Sequence, residues 1–262
     1  MLKIYELNNA RNCLRIIIRT YGIKKIFIPY YICPAIWQAC RSENCLIKPY
    51  HINKNFYPTY NFNKDAYILY PNYFGICSAN VFKLSNLYPN LIVDNAHAMY
   101  MPHCGIASFN SYRKFLPCKD GAKLYIKKEI PALPTDIYTY HECPKNYDDF
   151  VKNELRINKL QPQLLSICTK NIISNINLEN EKQERLNLFY KLHKKYSQTN
   201  ELKINLAEFD VPFIYPYLSD YDVNDNIIRY WSGLPKHFPE YDFYKRLKPI
   251  PLKNHAGYNT DS

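Results

Sequence analysis

A chain of 262 residues with 47% hydrophobic residues can bury a sizeable core and is not a disordered polymer. Its net charge of +11 comes from lysines and arginines scattered along the chain rather than blocked, with no recognised nucleic-acid module, so a solvated basic surface is expected. Nine cysteines, an odd number without CxxC pairing, argue against a zinc site or a disulfide framework; with no signal segment and no apolar run of about 18 residues, the expectation is a cytoplasmic protein without a membrane span.

Leu7 to Asn12 reads as a polar turn opening a helix that buries Cys13, Leu14, Ile17 and Ile18 and ends at Gly22. Such an N-terminus offers free N–H groups and the positive end of a dipole to a phosphate. Residues 25–29 form a buried strand, and Pro34 starts a helix over 35–41. Strands follow at 45–51 and 66–70, with a polar, aromatic loop between them, then a turn at 72–75 and a helix over 81–87. Residues 91–93 are a short buried strand with Asp94 at its carboxyl end, where ligands bind in open parallel sheets. A strand at 106–109 leads to Ser111 and Lys114, and the turn Lys119-Asp120-Gly121 enters a strand at 122–126. Alternation of strand and helix predicts an α/β fold, a mostly parallel sheet with helices on both faces. Beyond it lie a Pro-, Asp- and Tyr-rich linker within 133–150, helices over 153–196, segments at 203–217 and 226–234, and a polar tail from 253. The 26 tyrosines read as compositional bias, not a binding platform, and Trp231 reads as core.

A carboxylate and a lysine at neighbouring strand ends are what a pyridoxal phosphate site needs: the amine forms a Schiff base with the cofactor aldehyde, and the acid keeps the pyridine nitrogen protonated. By themselves the two residues read first as a capping Asp94 and a solvated Lys114. The histidines show no metal-ligand spacing, and His103 with Cys104 makes a poor nucleophile pair.

The segment VDNAHA (93–98) resembles a strand end of the DegT/StrS-type nucleotide-sugar aminotransferases, and SFNSYRKFLPCKDGAKL (108–124) resembles their lysine segment. In order along the chain, NARNCL (9–14) stands at their phosphate turn, IFIPYYICPA (26–35) at a strand followed by a ring-stacking residue, and NYFG (72–75) at a turn where they carry histidine. The spacing of Pro216, Trp231, Pro235, Pro249 and Pro251 is similar to their C-terminal part. The resemblance implies a fold-type I pyridoxal phosphate enzyme: a large α/β domain over 1–150, linking helices over 151–200 and a small α+β domain over 201–262. It implies Lys114 as the Schiff-base lysine, Asp94 on the pyridinium nitrogen and His97 beside the cofactor. The phosphate would fall to Ser111, Ala10, Arg11 and Asn12, and the stacking position to Tyr31, with Tyr30 and Cys33 as alternatives. The implied reaction is amination of a nucleotide-linked keto sugar for surface polysaccharide or amino sugars, with glutamate as donor, in a homodimer. Only seven residues precede Asn8, and CKDGA has one glycine where the family has two. A catalytically inactive relative that binds a nucleotide sugar or a partner enzyme is the alternative.

Overall fold

A computed structural model describes residues 1–135, 147–231 and 233–253. Most of the expected linker and of the polar tail lies outside these residues. The chain begins with a strand that its sequence does not announce, β1 (Lys3–Leu7), so Leu7 closes a strand rather than opening a turn. Helix α1 (Ala10–Tyr21) follows; the Asn9 side chain caps it by accepting from the Asn12 N–H, and Gly22 closes it in the left-handed conformation at φ 65°. The order continues through β2 (Lys25–Pro29), α2 (Pro34–Ser42), β3 (Leu46–Tyr50), β4 (Ile68–Pro71), α3 (Ser78–Leu87), β5 (Leu91–Asn95), β6 (Ala107–Asn110) and β7 (Ala122–Ile126).

These seven strands make one sheet in the order β1-β7-β6-β5-β4-β2-β3. Strands β2 to β6 are parallel, and β7 pairs antiparallel with both β6 and β1. The carboxyl ends of β2, β4, β5 and β6, at Pro29, Pro71, Asn95 and Asn110, therefore open on the same edge. The two faces are filled by the alternation of side chains along each strand. Leu69 and Ile92 point into an aliphatic layer with Ile17 and Ile26, under α1 and α2. Ile68, Tyr70, Leu91 and Val93 point the other way, into a layer rich in tyrosine and phenylalanine.

Three helices, α4 (Tyr147–Lys159), α5 (Ile167–Ser174) and α6 (Leu178–Tyr196), then lead to a two-stranded antiparallel sheet, β8 (Ile214–Leu218) with β9 (Leu247–Pro251), the latter entered from α7 (Pro239–Arg246). Tyr215, Tyr217, Phe243 and Ile250 of this C-terminal part belong to the same buried layer as Tyr50, Tyr70 and Val93 of the main sheet. Arg185 of α6 is 1% exposed and pairs with Glu181 at 2.9 Å. Its guanidinium lies 4.6 Å from the Phe115 ring and donates to the carbonyls of Phe115 and Phe213, so a buried cation ties the segment after Lys114 to the approach to β8.

At Gly75 the chain between β4 and α3 passes close against its neighbours. With φ at 72°, a Cβ there would sit 2.4 Å from the His97 carbonyl oxygen and 2.5 Å from that of Val211, both backbone atoms. Gly75→Ala is expected to cost about 3 kcal/mol or more, since strain and a backbone clash add. A urea melt with its midpoint within experimental error of wild type would refute this reading of the turn.

Candidate active site

The end of β5 turns sharply after Asn95, and the Asp94 carboxylate accepts from the Ala96 N–H at 2.8 Å. Asp94 is 7% exposed. Burial raises its carboxyl from the ordinary 3.8 to about 6, against the pull of the Ala96 N–H and the charge of Lys114. Among the described residues no ion pair reaches it. On the neighbouring strand, the Asn110 side chain accepts from the Lys123 N–H at 2.9 Å, which holds β6 against β7 as the chain leaves the sheet. Ser111 then starts the single turn Tyr112–Lys114 that carries the lysine to the cleft.

Lys114 Nζ lies 3.1 Å from His97 Nε2 and 5.3 Å from the centre of the Phe213 ring. Burial lowers the lysine pKa, with Arg113 adding to the effect and Cys33, Glu154 and Asp94 opposing it. Burial and the charge of Lys114 hold His97 well below the ordinary histidine range, so its imidazole is neutral. With both groups favoured neutral, either nitrogen can donate in this bond, according to the imidazole tautomer. The imidazole is fixed by parallel rings, Phe213 at 4.6 Å, Trp231 at 5.4 Å and Phe74 at 5.8 Å between centroids. Phe74 and Trp231 both have positive φ, 55° and 56°, a conformation that bulky residues adopt only where their surroundings impose it.

Asp94, His97, Ser111 and Lys114 line one cleft holding about 710 Å³ of atom-free space, open solvent included, and the N-terminus of α1 closes one end of it through Asn9, Ala10 and Arg11. At that end Arg11 Nε and Nη1 and Asn9 Nδ2 are buried with no hydrogen-bond partner among the described residues; Asn72 Nδ2 is orphaned too, but on the β4 side, where the Asn72 N–H donates to the Asp94 carbonyl at 2.9 Å. Burial lowers the Arg11 pKa, although Glu154 and Cys33 work against it. Buried donors are rarely left unmatched. Three from two residues, at a helix N-terminus, are a donor set that a phosphate dianion satisfies. A buried carboxylate beyond hydrogen-bond reach of any cation, at the other end of the cleft, is likewise what a pyridinium N–H would pair with. On both counts the residues fit pyridoxal phosphate.

Two sequence expectations change. Asn12 is on α1 but turned from the cleft: its amide donates to Asn8 Oδ1 at 2.9 Å and to the Leu160 carbonyl at 3.2 Å, because Asn9 and not Leu7 or Asn8 caps the helix. Tyr31 is fully buried behind the cleft, stacked on Tyr73 and edge-on to Trp231 at 4.8 Å, while Ile32 and Cys33 take the positions at the cleft wall. Trp231, read as core, is partly exposed and lines the cleft. Asn9, Asn72, Phe213 and Trp231 were not singled out as site residues. Asn72 had a signal, since it opens the turn that carries histidine in the resembled family; the aromatic pair had none short of the fold itself.

No family model matches the sequence, and no curated protein does. Solved structures do resemble the fold. A DegT DnrJ EryC1 StrS aminotransferase from Brucella abortus is 12% identical, with 98% of this chain and 82% of that chain covered at a TM-score of 0.60. The PLP form of Spr1654 from Streptococcus pneumoniae, named as a sugar aminotransferase, is 12% identical over 96% and 82% at 0.63. The aminotransferase TlmJ from Streptoalloteichus hindustanus is 12% identical over 95% and 80% at 0.62. The architecture is thus that of the fold-type I pyridoxal phosphate aminotransferases.

Proposed function

We propose that this chain is a pyridoxal phosphate-dependent aminotransferase that aminates a keto sugar, carried on a nucleotide, with glutamate as the amino donor. The observation that carries the reading is the cleft itself: a lysine amine and a buried carboxyl without an ion pair among the described residues, with orphaned donors of Asn9 and Arg11 at the helix N-terminus that closes one end. When bound, the cofactor supplies an aldehyde for the lysine and a protonated pyridine ring that draws electrons from the carbon attached to the amino nitrogen. Asp94 would hold the proton on the ring nitrogen. Arg11, Asn9 and Ser111 would bind the phosphate together with the first N–H groups of α1. Lys114 Nζ is the base placed to take a proton from the donor's α carbon and to return one on the acceptor side. His97 Nε2 holds that amine in line, and burial favours its neutral, reactive form. The stacked rings of Phe213, His97 and Trp231 exclude water from one flank.

The test is formation of an amino sugar from glutamate and a nucleotide-linked keto sugar, beside the free keto sugar. The basic chain should draw the diphosphate at long range, so KM for the linked form is expected to rise with salt while kcat stays flatter. Equal rates on both forms, without salt dependence, would remove the nucleotide from the reading. We also place the reaction in the cytoplasm and in a homodimer, in line with the family resembled; light scattering should give twice the chain mass, and a turning-over monomer would refute the dimer. Among the described residues no helix is long and apolar enough to cross a membrane. The inactive alternative gains nothing from the site, which keeps both lysine and carboxyl.

A further inference from the structure

Beside the cleft lies a second depression of about 890 Å³, open to solvent, between the turn after β2 and the segment before α7. Tyr30, Pro34, Trp37, Trp231, Leu234 and Phe238 form its walls, and among the described residues no charged side chain lines it. Its aromatic walls are half-buried, unlike the tyrosines of the core. Tyr30 is held from below by Phe238 at 4.4 Å and His51 at 4.6 Å between centroids, so the rings are a fixed surface rather than loose ends. Two residues, Ile32 and Trp231, belong to both this trough and the cleft of Lys114. Trp231 is also the residue with φ at 56° whose indole lies parallel on His97. A tryptophan that lines both cavities, and stacks on the histidine beside the lysine amine, is placed to contact what occupies either.

We propose that the trough binds an uncharged ring of the acceptor, laid flat against Trp37 and Trp231, while the acceptor's reacting carbonyl passes Trp231 into the cleft. This rests on the aminotransferase reading for which end reacts, but the chemistry of the ligand follows from the walls alone. A pyranose presents an apolar C–H face and a nucleobase a π face, and both gain by covering aromatic rings. A bare anion gains little, because among the described residues no charged side chain lines the trough, and the nearby Arg41 guanidinium lies over the Trp37 ring at 6.0 Å rather than on the trough wall. The ring is therefore recognised here and the diphosphate elsewhere.

The chain contains two tryptophans, and both line this trough; Trp231 also lines the cleft, so an emission change that depends on Trp37 is the one that reports occupancy of the trough. The full chain, first without added cofactor and then with pyridoxal phosphate, is titrated with uridine, with methyl glucoside and with inorganic pyrophosphate. A saturable change with uridine, with the glucoside or with both, at millimolar concentrations, is expected, and which of them acts identifies base or sugar. Trp37→Leu should weaken that binding about tenfold while Trp37→Phe keeps most of it, circular dichroism confirming that both are folded. The same binding should survive in Lys114→Ala. A chain that binds a ring through Trp37 and never transfers an amino group would fail the proposed function and leave the trough standing. The trough assignment is overturned if neither ring compound changes the emission, if pyrophosphate alone does, or if Trp37→Leu binds as tightly as wild type.

Discussion

Lys114→Ala is expected to leave a folded protein that no longer captures pyridoxal phosphate covalently and that has lost amino transfer by about a thousandfold or more. Two losses combine in one side chain. The amine is the only lysine nitrogen among the described residues on the cleft wall, so the cofactor aldehyde has no other partner there. The same atom is the base for the proton that changes carbon, and removing a positioned general base alone costs about two to four powers of ten. Folding should not suffer, because burial already disfavours the charged amine that the substitution deletes. The readouts are the visible absorbance of the mixture and, after borohydride reduction and digestion, the peptide that carries the pyridoxyl mass. A labelled peptide from the alanine variant, with Lys119 as the first place to look, would move the role to another residue.

Asp94→Asn should separate stability from function in opposite directions. Its carboxyl has an ordinary value of 3.8 and is held at about 6 in the fold by burial. Below pH 4 the folded and unfolded chains are both protonated there and the group is neutral to stability. Between about 4 and 6 the folded chain holds a proton that the unfolded chain has released, so stability falls as pH rises. Above 6 the full cost persists, on the order of 3 kcal/mol. An asparagine still accepts from the Ala96 N–H but carries no charge. The cofactor-free variant should therefore be more stable than wild type at pH 7 to 8 by up to that amount, and the gap should close below pH 4. With cofactor the order reverses in activity: an amide cannot keep the ring nitrogen protonated, and turnover should drop by about a hundredfold or more. Urea melts at pH 4 and pH 8 check the first half, and an unchanged kcat would defeat the second.

The parts of the fold that sequence reading recovered are those written in short-range patterns. The apolar runs at 26–28, 68–70 and 91–93 are strands buried on both faces and could be placed within a residue or two. The carboxyl ends of β5 and β6 could be located from these patterns, whereas the roles expected of Asp94 and Lys114 came from the family resemblance. β1 escaped because Lys3–Leu7 is half exposed and lacks both an apolar run and clean alternation; its pairing with β7, more than a hundred residues on, is what makes it a strand. Tyr31 and Asn12 failed for a different reason. Each lies one or two positions from the residue that reaches the cleft, and at a strand-to-helix turn such a slip exchanges an inward side chain for an outward one. The segment near Trp231 was expected at the substrate mouth with Trp231 itself as core; its place on the cleft wall depends on the chain folding back over the sheet. The aromatic composition, set aside as bias, turned out to include the rings around His97 and the walls of the trough.

The buried layer that runs without interruption from Tyr70 and Val93 of the main sheet to Tyr215 and Ile250 of the C-terminal strands has a consequence for motion. Two bodies that share a packed interior cannot rock about a hinge without opening that interior to water, so the cleft has no large closing stroke available to it. Access must then be controlled by what can turn in place. Around the cleft mouth the described residues then leave local side-chain adjustments, and the indole of Trp231, partly exposed but packed on His97, Tyr31 and Tyr73, is the largest group there.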